Sequence, residues 1–411
     1  SAGWRIAEEA FMEPVKEVIS NLKLRASYGF TGNTEIGVYE SLATLGTSNW
    51  ILGNQLVSGF FPNKIPNPDL KWERTGQFDI GLDLGLFNNR LRITTDYYKK
   101  KTTDLLYSVA VPATSGYQTM LKNIGSIENQ GYELSIESDN LTGAFSWTTA
   151  FNIAFNRNKV LELGGEEYKE MAEGDGHLKT GSVRRLIVGE PIGVFYGYRF
   201  DGIFQNEEEC KQQTSSASPI GVGLRRYKDL NGDGKVDAAN DREILGDANP
   251  KFFGGLTNTF AYKGFELNVF LQYSYGNKIL NYNAMELENP TGGQNAYADM
   301  VNRWTPENPS NIYPKATTNR ALLVSDRFIE DGSYLKLKTL SLSYSFPKIN
   351  LKHIQGLRLY VTGQNLLTWT KYRGYDPEVS YRGASTLEAG EDFGGYPQSR
   401  TFMFGIKLDI K

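Results

Sequence analysis

The chain has 411 residues with a formal net charge of −3, and 40% of its residues are hydrophobic. Its length suits several ordinary domains or one large barrel, and its charge excludes a bulk basic surface for nucleic acid or anionic lipid. No run approaches the roughly 18 apolar residues of a membrane helix, but alternating strands could still cross a membrane because they show only half of the apolar signal.

Ten segments alternate apolar and polar residues with the period of a β-strand, and most approach the roughly 9–11 residues that a tilted strand needs to cross a membrane. The first lies near Ser20–Thr31. The next eight form four predicted hairpins: Gln77–Leu86 with Leu91–Lys100, Gly131–Ser138 with Ala144–Asn156, Phe253–Tyr262 with Phe265–Tyr275, and Ser333–Phe346 with Leu357–Thr368. A slip of phase between Leu337 and Leu340 predicts a β-bulge.

The last segment, Thr401–Lys411, shows the alternation most clearly. One face is wholly apolar and carries Phe402, Phe404, Ile406, Leu408 and Ile410. The other face is polar and contains glycine. A strand of this kind is typical of a barrel with an apolar outside and a wet inside.

The connections fall into two classes that alternate strictly. Short turns lie at Phe87–Arg90, Asp139–Gly143, Tyr262–Gly264 and Pro347–Gly356, and long connections at Gly32–Arg74, Tyr107–Gln130, Arg157–Phe252, Gly276–Gly332 and Trp369–Arg400. Bacterial membrane barrels have short periplasmic turns and long extracellular loops. We therefore predict an all-β transmembrane antiparallel β-barrel with a periplasmic C-terminus.

Two further segments are assigned by the same pattern. Residues 1–19 are predicted to be a periplasmic turn, with a helical turn over Glu8–Ile19. Gly193–Gln205 alternates like a strand, but counting it as a membrane strand would break the alternation of long and short connections. We therefore place it inside the long extracellular region 157–252.

Two alternatives to part of a larger barrel follow from the same segments: a soluble β-sandwich and a small closed barrel. A soluble β-sandwich also alternates, but it would scarcely need so many long connections at one end. Ten strands could close a small barrel, although the loops are large for its mouth. Truncation of a larger barrel fits better. No secretion signal precedes Ser1, so we expect either a mature product or the later part of a longer polypeptide.

The sequence offers little for catalysis. Cys210 is the only cysteine, and His177 and His353 are the only histidines, so neither a zinc site nor a nucleophilic dyad or triad is expected. No phosphate-binding loop or G-x-S-x-G motif is present. The acidic run Glu207–Glu209 is typical of a solvated surface. We therefore predict that the protein is not an enzyme.

Eight segments spread along essentially the whole chain are distinctive: Asn21–Asn33, Asn67–Thr75, Asn123–Ile136, Gly189–Gln205, Tyr227–Asp237, Gly332–Pro347, Val361–Val379 and Tyr396–Ile410. In this order they resemble the SusC/RagA family of TonB-dependent outer-membrane transporters of Bacteroidetes. Family members end on an aromatic residue more often than on a lysine such as Lys411.

The resemblance implies about ten C-terminal strands of a 22-stranded barrel. The plug, the TonB-contacting segment and the first twelve strands would then lie on another segment or chain. It also implies a SusD-like surface lipoprotein and the TonB–ExbB–ExbD system as partners, outer-membrane lipid as surroundings, and import of glycan oligomers or peptides. A structural scaffold built on a SusC-like barrel is the alternative, and a secreted carbohydrate-binding β-protein is a weaker one.

Residues 229–241 match the first half of an EF-hand-type calcium loop. Calcium binds several oxygens about 2.4 Å away, supplied at loop positions 1, 3, 5, 7 and 9, with glycine at position 6. The predicted ligands are Asp229, Asn231, Asp233, the carbonyl of Lys235, Asp237 and Asp241. The closing glutamate is absent, so the other interpretation is an acidic turn without metal. Any bound Ca²⁺ would be structural.

Aromatic residues in the long connections are candidates for ligand contact, because aromatic faces stack on sugars and pack against peptides. They are Trp50, Tyr117, Tyr282, Trp304, Tyr372 and Tyr375. The alternative is membrane-interface anchoring or loop packing. The predicted lumen face carries Asp79, Asp83, Arg92, Asp96 and Glu133, for which we favour a charge network along the barrel wall.

Overall fold

The computed structural model describes residues 1–33, 39–117, 119–171, 178, 180–289, 295–318, 322–346, 354–383, 385 and 387–410. Its main feature is one eleven-stranded antiparallel sheet, which we call the wall sheet. Its strands lie in chain order: β1 (Ala2–Arg5), β2 (Ile19–Asn33), β3 (Glu73–Leu86), β4 (Leu91–Thr103), β5 (Ser126–Thr142), β6 (Phe145–Glu162), β7 (Phe252–Tyr262), β8 (Phe265–Tyr275), β9 (Tyr334–Ser345), β10 (Ile354–Thr370) and β11 (Thr401–Ile410).

The two faces of the wall sheet differ in chemistry, as the alternation predicts. Leu84 lies opposite Leu22 on one side and Ile93 on the other, so apolar residues continue across neighbouring strands. This apolar face is open: 41% of the Phe78 surface and 82% of the Phe404 surface are exposed. A second sheet does not cover these side chains, which excludes the β-sandwich and confirms a partial barrel wall.

In the part of the chain that the structure describes, the short connections lie at one end of the wall sheet, which we call the turn end, and the long ones lie at the other, which we call the loop end. Residues 347–353 of the predicted turn Pro347–Gly356 lie outside the described residues. Gly143 and Ala144 join β5 to β6, and Lys263 and Gly264 join β7 to β8. Lys263 and Gly264 both have positive φ, at 47° and 88°, as a two-residue hairpin turn between twisted strands requires. The predicted alternation of connections is confirmed.

The start of the chain differs from the prediction. Residues 2–5 form an eleventh strand, β1, whose Trp4 lies opposite Leu24 of β2. The predicted helical turn over Glu8–Ile19 is two short 3₁₀ helices, Ile6–Glu8 and Ala10–Val15. Pro14 lacks a backbone N–H to continue a helix. Among the described residues, β1 and β11 each pair with a neighbour on one side only.

The predicted bulge is present. The register of β9 against β10 shifts between Leu337 and Thr339, and β9 against β8 shifts at Phe270 and Leu271. The extra residue lets Leu337 and Leu340 both reach the apolar face despite their odd spacing.

The long connections contain short strands and helices of their own. Paired strands are Thr44–Leu52 with Gln55–Lys64, Leu106–Ala110 with Thr119–Asn123, Phe200–Ile203 with Arg225–Tyr227, and Thr214–Ser215 with Lys235–Val236. Larger sheets contain Tyr168–Glu170, Arg184–Ile187, Val194–Gly197 and Glu243–Gly246, and Lys278–Asn281, Ile329–Asp331 and Glu391–Asp392. The helices are Glu207–Lys211 and Tyr282–Leu287, with 3₁₀ turns at Ala113–Ser115, Ala298–Asn302 and Asp326–Phe328.

Two of the long connections share one apolar core, which we call the loop core. Its buried members are Leu178, Val183, Phe195, Leu280, Tyr282, Ala284, Met285, Leu322, Val324 and Phe328. Phe195 lies in the segment Gly193–Gln205, whose two strands belong to the loop region, as predicted. No helix in the described part of the chain is long and apolar enough to cross a membrane.

Candidate functional site

The polar face of the wall sheet carries an ion-pair network. Arg25 on β2 contacts Asp83 on β3 and Asp96 on β4, each at 2.9 Å. Further along, Arg92 pairs with Glu137 on β5 at 3.0 Å. Together these ion pairs connect the four strands from β2 to β5. They confirm the predicted charge network along the barrel wall for Asp83, Asp96 and Arg92. A polar face of this kind can line a water-filled passage.

A second group of charges lies beneath the loop core. Glu288 is fully buried and forms ion pairs with Arg327 at 2.6 Å and Arg373 at 2.9 Å. Arg373 also contacts Glu330 at 2.8 Å. Burial lowers the pKa of Arg373, but hydrogen bonds to Glu330 and Glu288 outweigh burial and raise it. A buried carboxylate is tolerated when paired in this way, so the group joins the last two long connections.

The last long connection is also fastened to the wall sheet. Lys336 on β9 is almost fully buried, and its Nζ lies 2.5 Å from Asp376 and 2.5 Å from Glu378. Lys338 contacts Glu378 at 2.7 Å. Sequence reasoning missed this anchor. Its available signal was the pair of lysines, two residues apart, in a strand that carries no other charged residue.

The six predicted ligand-contacting aromatic residues are not gathered in one place. Tyr282 is fully buried in the loop core, and buried Tyr372 donates a hydrogen bond to Asp392 at 2.5 Å. Neither ring is available to a ligand in this structure, so loop packing explains both. Trp304 is partly buried and donates from its indole N–H to Gln205 at 2.9 Å.

The other three aromatic residues are more accessible. Trp50 is 63% exposed on the hairpin Thr44–Lys64, and Tyr375 is 79% exposed. Tyr117 is partly buried. Ligand contact by these three residues stays a prediction.

Residues 229–241 fold into tight turns. Asp229 accepts hydrogen bonds from the N–H groups of Gly232 and Gly234, both at 2.7 Å. Fully buried Asp241 accepts from Leu230 at 2.8 Å and from Asp237 at 2.7 Å. Gly234 has φ of +81°, the left-handed conformation that the sixth loop position favours.

Local contacts hold the other predicted calcium ligands. Asn231 donates to Asp233 at 3.0 Å, and Lys235 Nζ contacts Asp237 at 3.0 Å. The hydrogen bond from Lys235 lowers the pKa of Asp237, with backbone N–H groups adding to the effect. Within the described residues, no three His, Cys, Asp or Glu side chains form a group suited to a metal ion. Calcium binding stays a prediction, since asparagine and carbonyl oxygens also count as ligands.

The two histidines and the cysteine are the nucleophile and base candidates that the sequence offers. His177 and His353 lie outside the described residues. Cys210 is partly buried, and burial raises its thiol pKa, with Glu207 and Glu209 adding to the shift. A thiol held in its neutral form is a poor nucleophile.

An open antiparallel sheet with one apolar exposed face, one polar face and all long loops at one end defines part of a membrane-barrel wall. Residues 1–366 match the family model described as TonB dependent receptor-like, beta-barrel. The chain therefore belongs to the TonB-dependent receptor family of the outer membrane, and it is of the SusC/RagA type.

Named relatives support this assignment. TonB-dependent receptor P3 of Formosa agariphila is 40% identical over 98% of this chain and 41% of its own length. TonB-dependent receptor SusC of Bacteroides thetaiotaomicron is 31% identical over 99% of this chain and 39% of its own length. The chain thus spans about two fifths of these relatives.

A solved structure shows the same arrangement of strands. The structure titled the RagAB peptide transporter superimposes on this chain with a TM-score of 0.80 and 27% sequence identity. The match covers 99% of this chain and 42% of the chain in that structure. The same assembly in an open-open state, titled a peptide importer, matches with a TM-score of 0.81.

Proposed function

We propose that this chain supplies the last strands of a TonB-dependent importer that moves glycan oligomers or peptides across the bacterial outer membrane. The polar face of the wall sheet supports the proposal, because charged pairs such as Arg25 with Asp83 would line the path of a solute. The apolar face would meet lipid. The neighbour titled a peptide transporter supports peptides as one substrate class.

The proposal includes an orientation and a set of partners. The loop end would face the cell exterior beneath a SusD-like surface lipoprotein, and the C-terminus would be periplasmic. Preceding strands would pair with β1 and β11, since a strand edge cannot lie unpaired in hydrocarbon. A plug in that preceding portion would contact TonB–ExbB–ExbD.

Structural Ca²⁺ at residues 229–241 belongs to the same proposal. The turn around Gly234 supports it, because the backbone there already has the left-handed conformation of such loops. The ion would be held by the predicted ligands, which are Asp229, Asn231, Asp233, the carbonyl of Lys235, Asp237 and Asp241. Its role would be to brace the long connection.

Uptake in the native host tests the transport proposal. Cells with and without the gene would receive fluorescently labelled oligopeptides from digested casein and labelled oligosaccharides from a panel of polysaccharide hydrolysates. We expect deletion to abolish most uptake of one pool, complementation to restore it, and a protonophore to block it. Unchanged uptake of every pool, with loss of a larger outer-membrane assembly on native gels, would overturn transport in favour of the scaffold alternative.

A further inference from the structure

A groove opens on the apolar face of the wall sheet, close to the loop end. It has a volume of about 590 Å³ and lies across β7 to β10. Its lining includes Phe252, Tyr273, Tyr275, Leu335, Trp369 and Lys371. We call it the loop-end groove. The lining also includes Ser274, Tyr334 and Thr370, which form the polar-face row next to these residues. The aromatic and aliphatic side chains of the lining face away from the polar passage, so the transport proposal does not use them.

Strand register explains the apolar floor of the loop-end groove. Tyr273 lies opposite Leu335, and Leu335 lies opposite Trp369, so these three side chains form one row on one face. Phe252 lies opposite Tyr275, and their rings stack with centroids 5.0 Å apart. The floor is therefore a continuous aromatic and aliphatic surface.

The next row toward the turn end is purely aliphatic. Leu271 lies opposite Leu337, which lies opposite Leu367. The surface therefore changes from aliphatic through aromatic to polar toward the loop end. This gradient is typical of the boundary between hydrocarbon and headgroups in a bilayer.

Two cations lie on the headgroup side of this boundary. Lys371 lines the loop-end groove two residues after Trp369 and is exposed. Arg157 is exposed on β6 two residues after Phe155, whose ring lies 5.8 Å from that of Phe252. Neither cation has an ion-pair partner within 4 Å in the described part of the chain. Among the described residues, the Arg157 side chain bonds only backbone carbonyls, those of Asn156 and Lys251, both at 3.1 Å.

One carboxylate in the lining, that of Asp331, would repel a bound anion. Ser333 binds it with its N–H at 3.1 Å and its hydroxyl at 2.6 Å. Burial raises the pKa of Asp331, but these hydrogen bonds and the charges of Lys278 and Lys371 lower it overall. Lys278 and Lys371 together carry two positive charges near the single negative charge of Asp331. The edge of the loop-end groove therefore has a net positive charge, to which Arg157 adds. This local excess coexists with the chain's net negative charge.

We propose that the loop-end groove binds a lipid with a phosphate-bearing headgroup. Its acyl chains would lie along Tyr273, Leu335 and Trp369, and its phosphate would contact Lys371, with Arg157 binding a second phosphate or a neighbouring lipid. Lipid A and a glycerophospholipid share this chemistry. A free phosphate lacks the acyl chains that the aromatic row would hold.

Native mass spectrometry of the purified detergent-solubilised protein tests the site. The probes are monophosphoryl lipid A, the same lipid without phosphate, phosphatidylglycerol and inorganic phosphate. A lysine or arginine near a membrane surface contributes enough to change affinity about fivefold. We expect Lys371→Gln to weaken binding of the first phosphorylated lipid about fivefold, and the added Arg157→Gln to weaken binding of a neighbouring second lipid about fivefold. Removing the lipid's phosphate should weaken binding to a similar degree.

The matched control is Lys101→Gln, which removes an exposed lysine from the loop end of β4, two strands from Arg157 on β6 and six strands from β10, which Lys371 follows. It should leave binding unchanged. Heat-modified migration on gels would establish that each variant is folded. Equal lipid binding by wild type and double variant would overturn the proposal, as would equal binding of the dephosphorylated lipid. Inorganic phosphate that competes as well as lipid would show a phosphate site without acyl contacts and would also overturn it.

Comparison of the two lipids identifies the source of the headgroup. Tighter binding of monophosphoryl lipid A supports an outer-leaflet glycolipid, and tighter binding of phosphatidylglycerol supports a phospholipid. Both results support the shared chemistry. The transport proposal is independent of this experiment, because solute uptake depends on the polar face.

Discussion

Lys336 on β9 and Asp376 in the connection between β10 and β11 form a buried ion pair, with 2.5 Å between Nζ and the carboxylate oxygen. Their side chains are only 2% and 8% exposed. The pair fastens a long loop to the wall of the barrel from the polar side. Glu378 adds a second carboxylate to the same lysine.

Replacing Lys336 with alanine tests this anchor. Breaking a buried pair by removing one partner costs about 3–5 kcal/mol, because the other charge stays buried and unpaired. We expect Lys336→Ala to lower the free energy of unfolding by about that amount. Urea titration of the refolded full-length protein would measure it, and limited proteolysis would show earlier cleavage within residues 371–400. Exposed Lys251 offers a control: Lys251→Ala should change neither readout, and equal effects of both variants would contradict the anchor.

The same anchor predicts a pH dependence. Burial raises the pKa of Glu378, but hydrogen bonds from Lys336 and Lys338 outweigh burial and lower it below its usual range. A depressed folded-state pKa means that the stabilisation is present above the unfolded value of about 4.3 and is lost as the pH falls through the folded value. Pepsin cleavage within residues 371–400 should therefore accelerate below about pH 4.3. Glu378→Gln should flatten this acceleration, and an unchanged profile in that variant would rule out Glu378 as its source.

Neighbouring residues on β11 test which face meets lipid. Phe404 lies on the apolar face, and Met403 lies on the polar face opposite Thr362 of β10. An arginine facing lipid near the bilayer midplane costs about 2–4 kcal/mol, whereas a lumen-facing one costs little. We expect Phe404→Arg to lower the unfolding free energy in lipid vesicles by that amount and Met403→Arg to change it by less than about 1 kcal/mol. The reverse order would place the lipid on the other face.

Much of the wall sheet could be predicted because period-two alternation reports directly which face is buried in lipid. The strand carrying Phe78 and the one carrying Phe404 both lie where the pattern places them. The β1 strand, Ala2–Arg5, is too short to show a period. The hairpin Thr44–Lys64 was missed because both of its faces are exposed, with Trp50 on one and Ile51 on the other, so no apolar stripe marks it.

The contacts among the loops could not be predicted. Glu288 meets Arg373 across 85 residues of sequence, and no local periodicity connects two such positions. The burial of the Tyr282 and Tyr372 rings could not be predicted for a related reason. Composition identifies a loop aromatic, but only packing decides whether its ring is buried.

Calcium binding makes a distinct prediction for residues 229–241. If Asp229 and Asp233 are ligands, isothermal titration with CaCl₂ should show binding to the metal-free protein that Asp229→Ala and Asp233→Ala each abolish. Glu207→Gln is the matched control, because Glu207 is an exposed carboxylate of the same connection outside the loop. Binding that survives both aspartate substitutions would place any calcium elsewhere, and absence of binding would favour the metal-free turn.

The proposed orientation predicts which ends of the hairpins are reachable from outside the cell. Gln55 is exposed in the loop-end hairpin Thr44–Lys64, and Ala144 is exposed in the two-residue turn between β5 and β6. In a Cys210→Ser background, a membrane-impermeant maleimide should label Gln55→Cys in intact cells. It should label Ala144→Cys only after the outer membrane is permeabilised, because the short turns would face the periplasm. Labelling of Ala144→Cys but not of Gln55→Cys in intact cells would invert the orientation and place the C-terminus outside.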